Sequence, residues 1–422
     1  MDARVRPSRL SGALPAVASK SMAHRALVLA TFATGRCELV CDTTSQDIEA
    51  TKACLATLWQ VAHGLAAASE QEPAILDCAE SGSTLRFLLP VTCALGIPAR
   101  FVCHGRLADR PLHPLDEQLG LHGVTLSWED RQLLARGRLR GGTFVVPGNV
   151  SSQFVTGLLL AAPLLDEPTE VLVKRPVESR PYLDLTLRAL EQFGQRVLVD
   201  VVDGPHGDGA TYERFFVDPA PLVAPSTYVV EGDWSNAAIW LAAGAMEREG
   251  LTVTGLDLAS AQGDRAILAA LASFGTRIAR KGDAARATKD AMRATTLDVS
   301  ATPDLVPPLA AVATTVPGLT RITGAGRLRI KESDRLAAIT AAIQALGGHA
   351  HAGVDSLVIE GVERLTGGTV DAQNDHRIAM MAALMATHAA DEVTIVGAEC
   401  VAKSYPTFWD DYAMLGGDVT LA

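Results

Sequence analysis

Aromatic residues are scarce in this chain, at 5% of 422 residues, while Ala, Leu, Val and Gly are plentiful. A core of that composition is built from helices packed on sheets through small and branched side chains. Cysteine is sparse and unpatterned: seven residues, at 37, 41, 54, 78, 93, 103 and 400, with no C-x-x-C pair. That odd, scattered set excludes a disulfide framework and a cysteine zinc site, and it points to a reduced, cytoplasmic chain. His349 and His351 form an isolated H-x-H with no Cys or carboxylate beside it, so no metal is expected. Long apolar runs are also missing. The longest, residues 154–165, is interrupted by Thr156, Gly157 and Pro163 and is too short to span a bilayer. Residues 1–7 have no apolar segment of the signal-peptide kind. Nor is there an excess of basic charge. The net charge of −11 argues against nucleic acid or an anionic membrane as partner. What remains is 48% hydrophobic, enough for the cores of two or three domains.

One device recurs six times. A knot of small, polar or Gly residues leads straight into an apolar run with helical character. Counted from Ser19, Ser81, Ser151, Asp233, Asp304 and Asp375, the knots recur at intervals of 62, 70, 82, 71 and 71 residues. Strand-like runs such as 99–103, 143–146 and 171–173, and second helices such as 47–59 and 182–193, lie between them. The reading is six copies of a mixed unit with two helices and about four short strands, in two halves of three. Pro219, Pro221 and Pro225 mark the junction. Ser, Asp and Asn in the knots offer oxygens to free helix N–H groups, and such ends attract anions. A cation in a first turn opposes the helix dipole unless an anion is bound there. Lys20, Arg25, Arg86, Lys331, Arg335 and Arg377 all lie in or near such turns.

The stretch Arg327–Leu336 packs three cations and two carboxylates between Arg329 and Arg335. With a helix starting near Lys331, Lys331 and Arg335 share a face at i and i+4, and Glu332 lies on the same turn. A carboxylate held between two cations suits a proton shuttle beside a phosphorylated substrate. Alone, such a run is more often a solvated helix face with local ion pairs.

Together the knots resemble one family closely, the 3-phosphoshikimate 1-carboxyvinyltransferases, also called 5-enolpyruvylshikimate-3-phosphate synthases. The matching residues are Ser19-Lys20-Ser21 with Arg25, Ser81-Gly82-Ser83 with Arg86, Arg110-Pro111, Ser151-Ser152-Gln153-Phe154 and Ser179-Arg180-Pro181-Tyr182. The second half adds Glu231-Gly232-Asp233, Gln262-Gly263-Asp264, Pro303-Asp304, Lys331-Glu332-Ser333-Asp334-Arg335, Asn374-Asp375-His376-Arg377 and Ala402-Lys403. They follow the family order along nearly the whole chain.

The resemblance implies an α/β fold of two similar domains, each of three βαβαββ-type units in an inside-out α/β barrel, with the site in the interdomain cleft. One domain is expected at 18–230, the other at 1–17 plus 231–422. The implied reaction moves the enolpyruvyl group of phosphoenolpyruvate to the 5-hydroxyl of shikimate 3-phosphate and releases phosphate, with no metal or organic cofactor. By resemblance Lys20, Ser21, Arg25, Ser151, Ser152, Gln153, Ser179, Tyr182, Asp304 and Lys331 hold shikimate 3-phosphate. Lys20, Gly82, Arg110, Gln153, Arg335, Arg377 and Lys403 hold phosphoenolpyruvate. Asp304 takes the hydroxyl proton, and Glu332 with Lys20 exchanges protons with the methylene carbon. Seven cations, Lys20, Arg25, Arg110, Lys331, Arg335, Arg377 and Lys403, would let an acidic protein handle anionic substrates. A monomer is expected. Ala18, Glu80 and Arg327 depart from residues common in the family, and none is assigned a ligand. Two alternatives stand beside this reading. One is the sister transfer to a UDP-amino sugar, usually marked by an Asn after the first Lys and a Cys on a loop. Here Ser21 follows Lys20, and Cys103 ends a strand-like run. The other is a non-catalytic descendant that binds phosphorylated acids, which should have lost Asp304, Glu332 or Lys20.

Overall fold

The computed structural model describes residues 1–204 and 209–422. The chain divides into two compact units. One holds residues 20–42 and 46–230, the other 1–19, 43–45 and 231–422. They are called here the 20–230 unit and the 231–422 unit. Ala18 and Ser19 lie on the far side of the boundary expected at 18. The Ser19 N–H donates to the Glu231 carbonyl (2.8 Å), and Ala18 bridges Gly232.

The 20–230 unit contains helices α1 (Lys20–Phe32), α2 (Gln46–Ala62), α3 (Gly82–Ala94), α4 (Leu115–Leu121), α5 (Ser152–Ala161) and α6 (Arg180–Gln192). The 231–422 unit contains α7 (Trp234–Met246), α8 (Ile267–Ser273), α9 (Val306–Thr314), α10 (Arg335–Ala345), α11 (His376–Ala386) and α12 (Phe408–Met414). In each unit the three odd-numbered helices pack on one another. Except for α1, they are apolar nearly all round because they are buried nearly all round: every residue of α9 and α11, and all but Ser83 of α3, is out of water. Contact between α3 and α5 is close because Gly157 has no side chain. A Cβ there would lie 2.2 Å from the Arg86 carbonyl oxygen.

Outside these inner helices lie the sheets. Among the described residues five have four strands and one has two. The four-stranded sheets share one plan, in which the first strand runs parallel to the second, the second antiparallel to the fourth, and the fourth antiparallel to the third. Ala74–Asp77, Ala99–Val102, Val124–Glu129 and Gln132–Gly137 are one example. The strand–helix–strand–helix–strand–strand order follows directly, with the inner helix after the first strand and the outer helix after the second.

Two of these sheets are completed by the N-terminal segment. Gly12–Pro15 is the first strand of the sheet that continues with Leu251–Thr254. Asp2–Arg6 fills the fourth-strand place between Val393–Val396 and Asp418–Leu421.

The first repeat corrects the expectation of about four strands in every copy. Among the described residues it has only Glu38–Val40 and Thr227–Val229, paired in parallel. After α2 only residues 63–73 precede the first strand of the next sheet, which leaves no room for a hairpin.

Candidate functional site

Each inner helix begins at a knot, so the knots gather at helix N-termini. Ser81, Ser151, Asp233 and Asp375 are N-caps, each accepting a hydrogen bond from a first-turn N–H. The Asp304 knot differs. It forms a short 3-10 turn, Pro303–Leu305, that feeds α9.

In the 20–230 unit, Lys20 opens α1 and pairs with Asp47 (Nζ–Oδ2 2.8 Å). Arg25 lies one turn on and is buried. Its guanidinium donates to the Ser21 carbonyl (2.6 Å), the Tyr182 carbonyl (2.8 Å), Thr186 Oγ1 (2.9 Å) and Thr156 Oγ1 (3.4 Å), and it sits 5.2 Å from the Phe87 ring centre. Burial lowers its pKa to about 10. Arg25 therefore braces α1 against α5 and α6, and its bond to the Ser21 carbonyl fixes the turn that carries Lys20 and Ser21. Ser179 precedes α6 in the left-handed region, at φ 53°, a conformation held here without glycine. Tyr182 follows in the first turn of α6.

Gly82 begins α3, and two guanidiniums flank it. A Cβ on Gly82 would lie 2.6 Å from an Arg86 Nη and 2.8 Å from an Arg110 Nη. Arg86 donates to the Gln153 amide oxygen (3.2 Å) and to the Pro111 carbonyl (3.0 Å). The Gln153 amide nitrogen donates to Ser83 (3.1 Å). Ser151, Ser152 and Gln153 form the cap and first turn of α5. Two like charges beside one helix N-terminus make a place for an anion. The sequence reading noted Arg86 as a first-turn cation but did not place it in the site. The signal was its spacing: four residues after Gly82, it returns to the helix start.

In the 231–422 unit the charged run does not form the helix expected from Lys331. Residues 331–334 are non-helical, Asp334 caps α10 by accepting from the Ala337 N–H, and the helix starts at Arg335. Lys331 and Arg335 are therefore not one face of a helix. What joins them is Asp304. Its carboxylate accepts from Arg335 (2.9 Å), lies 3.5 Å from Lys331 Nζ and 3.4 Å from Arg377 Nη2, and its backbone carbonyl accepts from Arg377 (3.1 Å). Arg335 is buried and meets three carboxylates: Asp375 (2.7 Å), Asp304, and Glu332 (2.6 Å). Ser333 adds a hydrogen bond to Asp375 (2.9 Å). Lys403 is buried and donates to the Asn374 carbonyl (2.9 Å). Asp375, which orients Arg335, was legible only as a cap.

The charges here set each other. Burial alone would raise the Asp304 pKa, but Arg377, Lys331 and Arg335 outweigh it and hold the carboxyl well below the usual range. Burial lowers the Lys331 pKa, with Asp304 opposing. Asp264, hydrogen-bonded to Ser235, is pushed up to about 6 by burial and then by the charge of Asp304.

Of the residues that depart from the family pattern, Ala18 is buried in its strand bridge to Gly232. The Glu80 carboxylate lies against Gly105, where a Cβ would meet it at 2.4 Å. Cys103 is buried, and burial pushes its thiol up to about 12, so it is not a reactive loop cysteine.

Comparison with known proteins covers the whole chain. The EPSP synthase (3-phosphoshikimate 1-carboxyvinyltransferase) family model matches residues 5–412. The 3-phosphoshikimate 1-carboxyvinyltransferase of Clostridium kluyveri is 38% identical, covering 98% of this chain and 97% of that protein. The protein of the same name from Clostridioides difficile is 36% identical, covering 99% and 98%. Among solved structures, EPSP synthase from Acinetobacter baumannii aligns with a TM-score of 0.78 at 21% identity over all of both chains. An enolpyruvyl transferase from Streptomyces tendae aligns with a TM-score of 0.73 at 20% identity, covering 99% and 98%. These two show the fold. Among the described residues no helix is long and apolar enough to cross a membrane. Matched along nearly its full length by the family model and by relatives above 30% identity, the chain belongs to the EPSP synthase family.

Proposed function

We propose that the protein transfers the enolpyruvyl group of phosphoenolpyruvate to the 5-hydroxyl of shikimate 3-phosphate and releases phosphate, a step of the shikimate pathway toward aromatic amino acids. The observation that carries this reading is the match to the EPSP synthase family along residues 5–412. The geometry supports it by separating two tasks.

The 20–230 cluster is suited to anions. Gly82 lets the guanidiniums of Arg86 and Arg110 close on the start of α3, and the α3 N-terminus adds its own positive end. We assign Gly82, Arg110, Gln153 and Lys20 to phosphoenolpyruvate there, with Arg86 beside them. Ser21, Ser151, Ser152, Ser179 and Tyr182 are assigned to shikimate 3-phosphate, with Arg25 positioning the α1 turn.

The 231–422 cluster is suited to proton transfer. Asp304 is assigned to take the hydroxyl proton. Held below the usual carboxylate range by three cations, it is a weak base. A phosphate or carboxylate that engages Lys331, Arg335 or Arg377 competes for those cations and lifts the Asp304 pKa toward useful values. Substrate binding thus switches on the base. Glu332, half-exposed and paired with Arg335, is assigned with Lys20 to protonate the methylene carbon and later remove a proton from it as phosphate leaves.

We further assign the protein to the cytoplasm as a monomer with no nucleic-acid partner. The test is phosphate release from phosphoenolpyruvate by the purified protein with shikimate 3-phosphate or UDP-N-acetylglucosamine as acceptor. Release with the first and not the second is expected. Release only with the sugar nucleotide would overturn the reading.

A further inference from the structure

His24 lies on α1 one turn after Lys20 and is almost wholly buried. Its Nδ1 is 2.8 Å from Thr51 Oγ1 on α2, its ring meets Phe87 edge-on at 6.3 Å, and its buried Nε2 has no partner. Thr51 Oγ1 is in turn 2.6 Å from Thr84 Oγ1 on α3. The hydroxyl of Thr84 donates to Ser81 Oγ (2.7 Å), with the Asp47 carbonyl (3.4 Å) as its other acceptor.

Proton counting fixes the direction of this chain. Thr84 has one hydroxyl proton and gives it to Ser81 Oγ, so toward Thr51 it accepts. Thr51 then spends its only proton on Thr84 and must accept from His24. His24 therefore carries its proton on Nδ1. The partnerless Nε2 is a lone pair and not a buried N–H, the less costly of the two. Burial disfavours a second proton, and Lys20 and Arg25 on the same helix repel it further.

The chain ends where the chemistry needs rigidity. Ser81 caps α3, also accepting from the Thr84 N–H (3.2 Å), and the next residue is Gly82 between Arg86 and Arg110. Asp47, at the side branch, holds Lys20 through its carboxylate.

We propose that His24 is a positioning residue. Its Nδ1–H starts a one-way chain of hydrogen bonds, through Thr51 and Thr84 to Ser81, that fixes the start of α3 and so the phosphoenolpyruvate-binding turn at Gly82. The assignment of that turn to phosphoenolpyruvate rests on the function proposed above. Leu at position 24 removes the donor. Asn keeps an N–H near the Nδ1 position.

Two measurements test this. In the parent protein labelled with ¹⁵N-histidine, with His24→Asn identifying the signal, the ring shifts should report the Nδ1–H tautomer near neutral pH. An Nε2–H tautomer would overturn the chain whatever the enzyme does, so this arm is independent of the proposed function. In kinetics, His24→Leu and Thr51→Val should raise KM for phosphoenolpyruvate about tenfold, the loss of roughly one well-placed hydrogen bond, with KM for shikimate 3-phosphate changed less than about twofold. His24→Asn should recover most of the loss. Equal effects on both substrates, or Asn no better than Leu, would reduce His24 to a packing residue and overturn the proposal.

Discussion

The two clusters hold their arginines in opposite ways. Arg335 in the 231–422 unit is buried among Asp375, Asp304 and Glu332. Arg25 in the 20–230 unit is equally buried, but its hydrogen bonds go to two carbonyls and two threonine hydroxyls. The first arrangement is a charge network in which each member sets the pKa of the others. The second is a brace that keeps its positive charge. One cluster is therefore suited to moving protons, the other to receiving anions.

The sharpest way to break this comparison is to remove each arginine. Arg335→Met leaves the buried Asp375 without its guanidinium and takes a cation from Asp304 and Glu332, and should cost about 3–5 kcal/mol of stability as well as activity. Urea unfolding measures it. A loss below about 1 kcal/mol would mean that the carboxylates are not held charged. Glu332→Gln comes next. It should cut turnover by about 10²–10⁴ with both substrates still bound, measured by steady-state kinetics and titration calorimetry. Near-normal turnover would move the proton role elsewhere. Arg25→Met leaves only neutral groups unpaired and should cost about 1–3 kcal/mol, clearly less than the Arg335 variant. If the two variants lose equal stability, the contrast between network and brace fails.

Acid sharpens it further. Burial, then Lys20 and Arg25, lower the His24 pKa from 6.5 to about 3, so the unfolded chain binds a proton there that the folded chain refuses. Stability from this group is fully present above pH 6.5 and falls as pH drops toward 3. Between pH 6.5 and 5 the parent should lose about 2 kcal/mol more than His24→Asn does. Parallel stability curves would show that His24 titrates normally. The smallest effect is expected from Gly82→Ala. Its Cβ must displace the guanidiniums of Arg86 and Arg110, and KM for phosphoenolpyruvate should rise about tenfold, or about 1.4 kcal/mol. An unchanged KM would take Gly82 out of the site.

Much of this architecture was legible in the sequence because the knots combine two local signals, capping residues and apolar runs. Ser81, Ser151, Asp233 and Asp375 cap the helices that follow them. The charged run was misread because helix spacing was applied to residues upstream of the cap. Asp334 wins the N-cap position and leaves Lys331 and Glu332 outside the helix. The missing hairpin of the first repeat had a signal in the shortest knot interval, 62 residues, which a reading by average period smooths over. The roles of His24 and Asp375 were not legible. Each depends on contacts to residues far away in sequence, and in a single sequence such residues look like any other helix, cap or loop position.

The strand Asp2–Arg6 has a consequence for the order in which the chain can acquire its structure during synthesis. It pairs with Val393–Val396 on one edge and Asp418–Leu421 on the other, so its partners are synthesised long after it. The 20–230 unit is complete once residue 230 has emerged, and it can fold while the rest is still being made. Ala3 and Val5, which end fully buried, wait in an unpaired segment until residues 393–421 have been made.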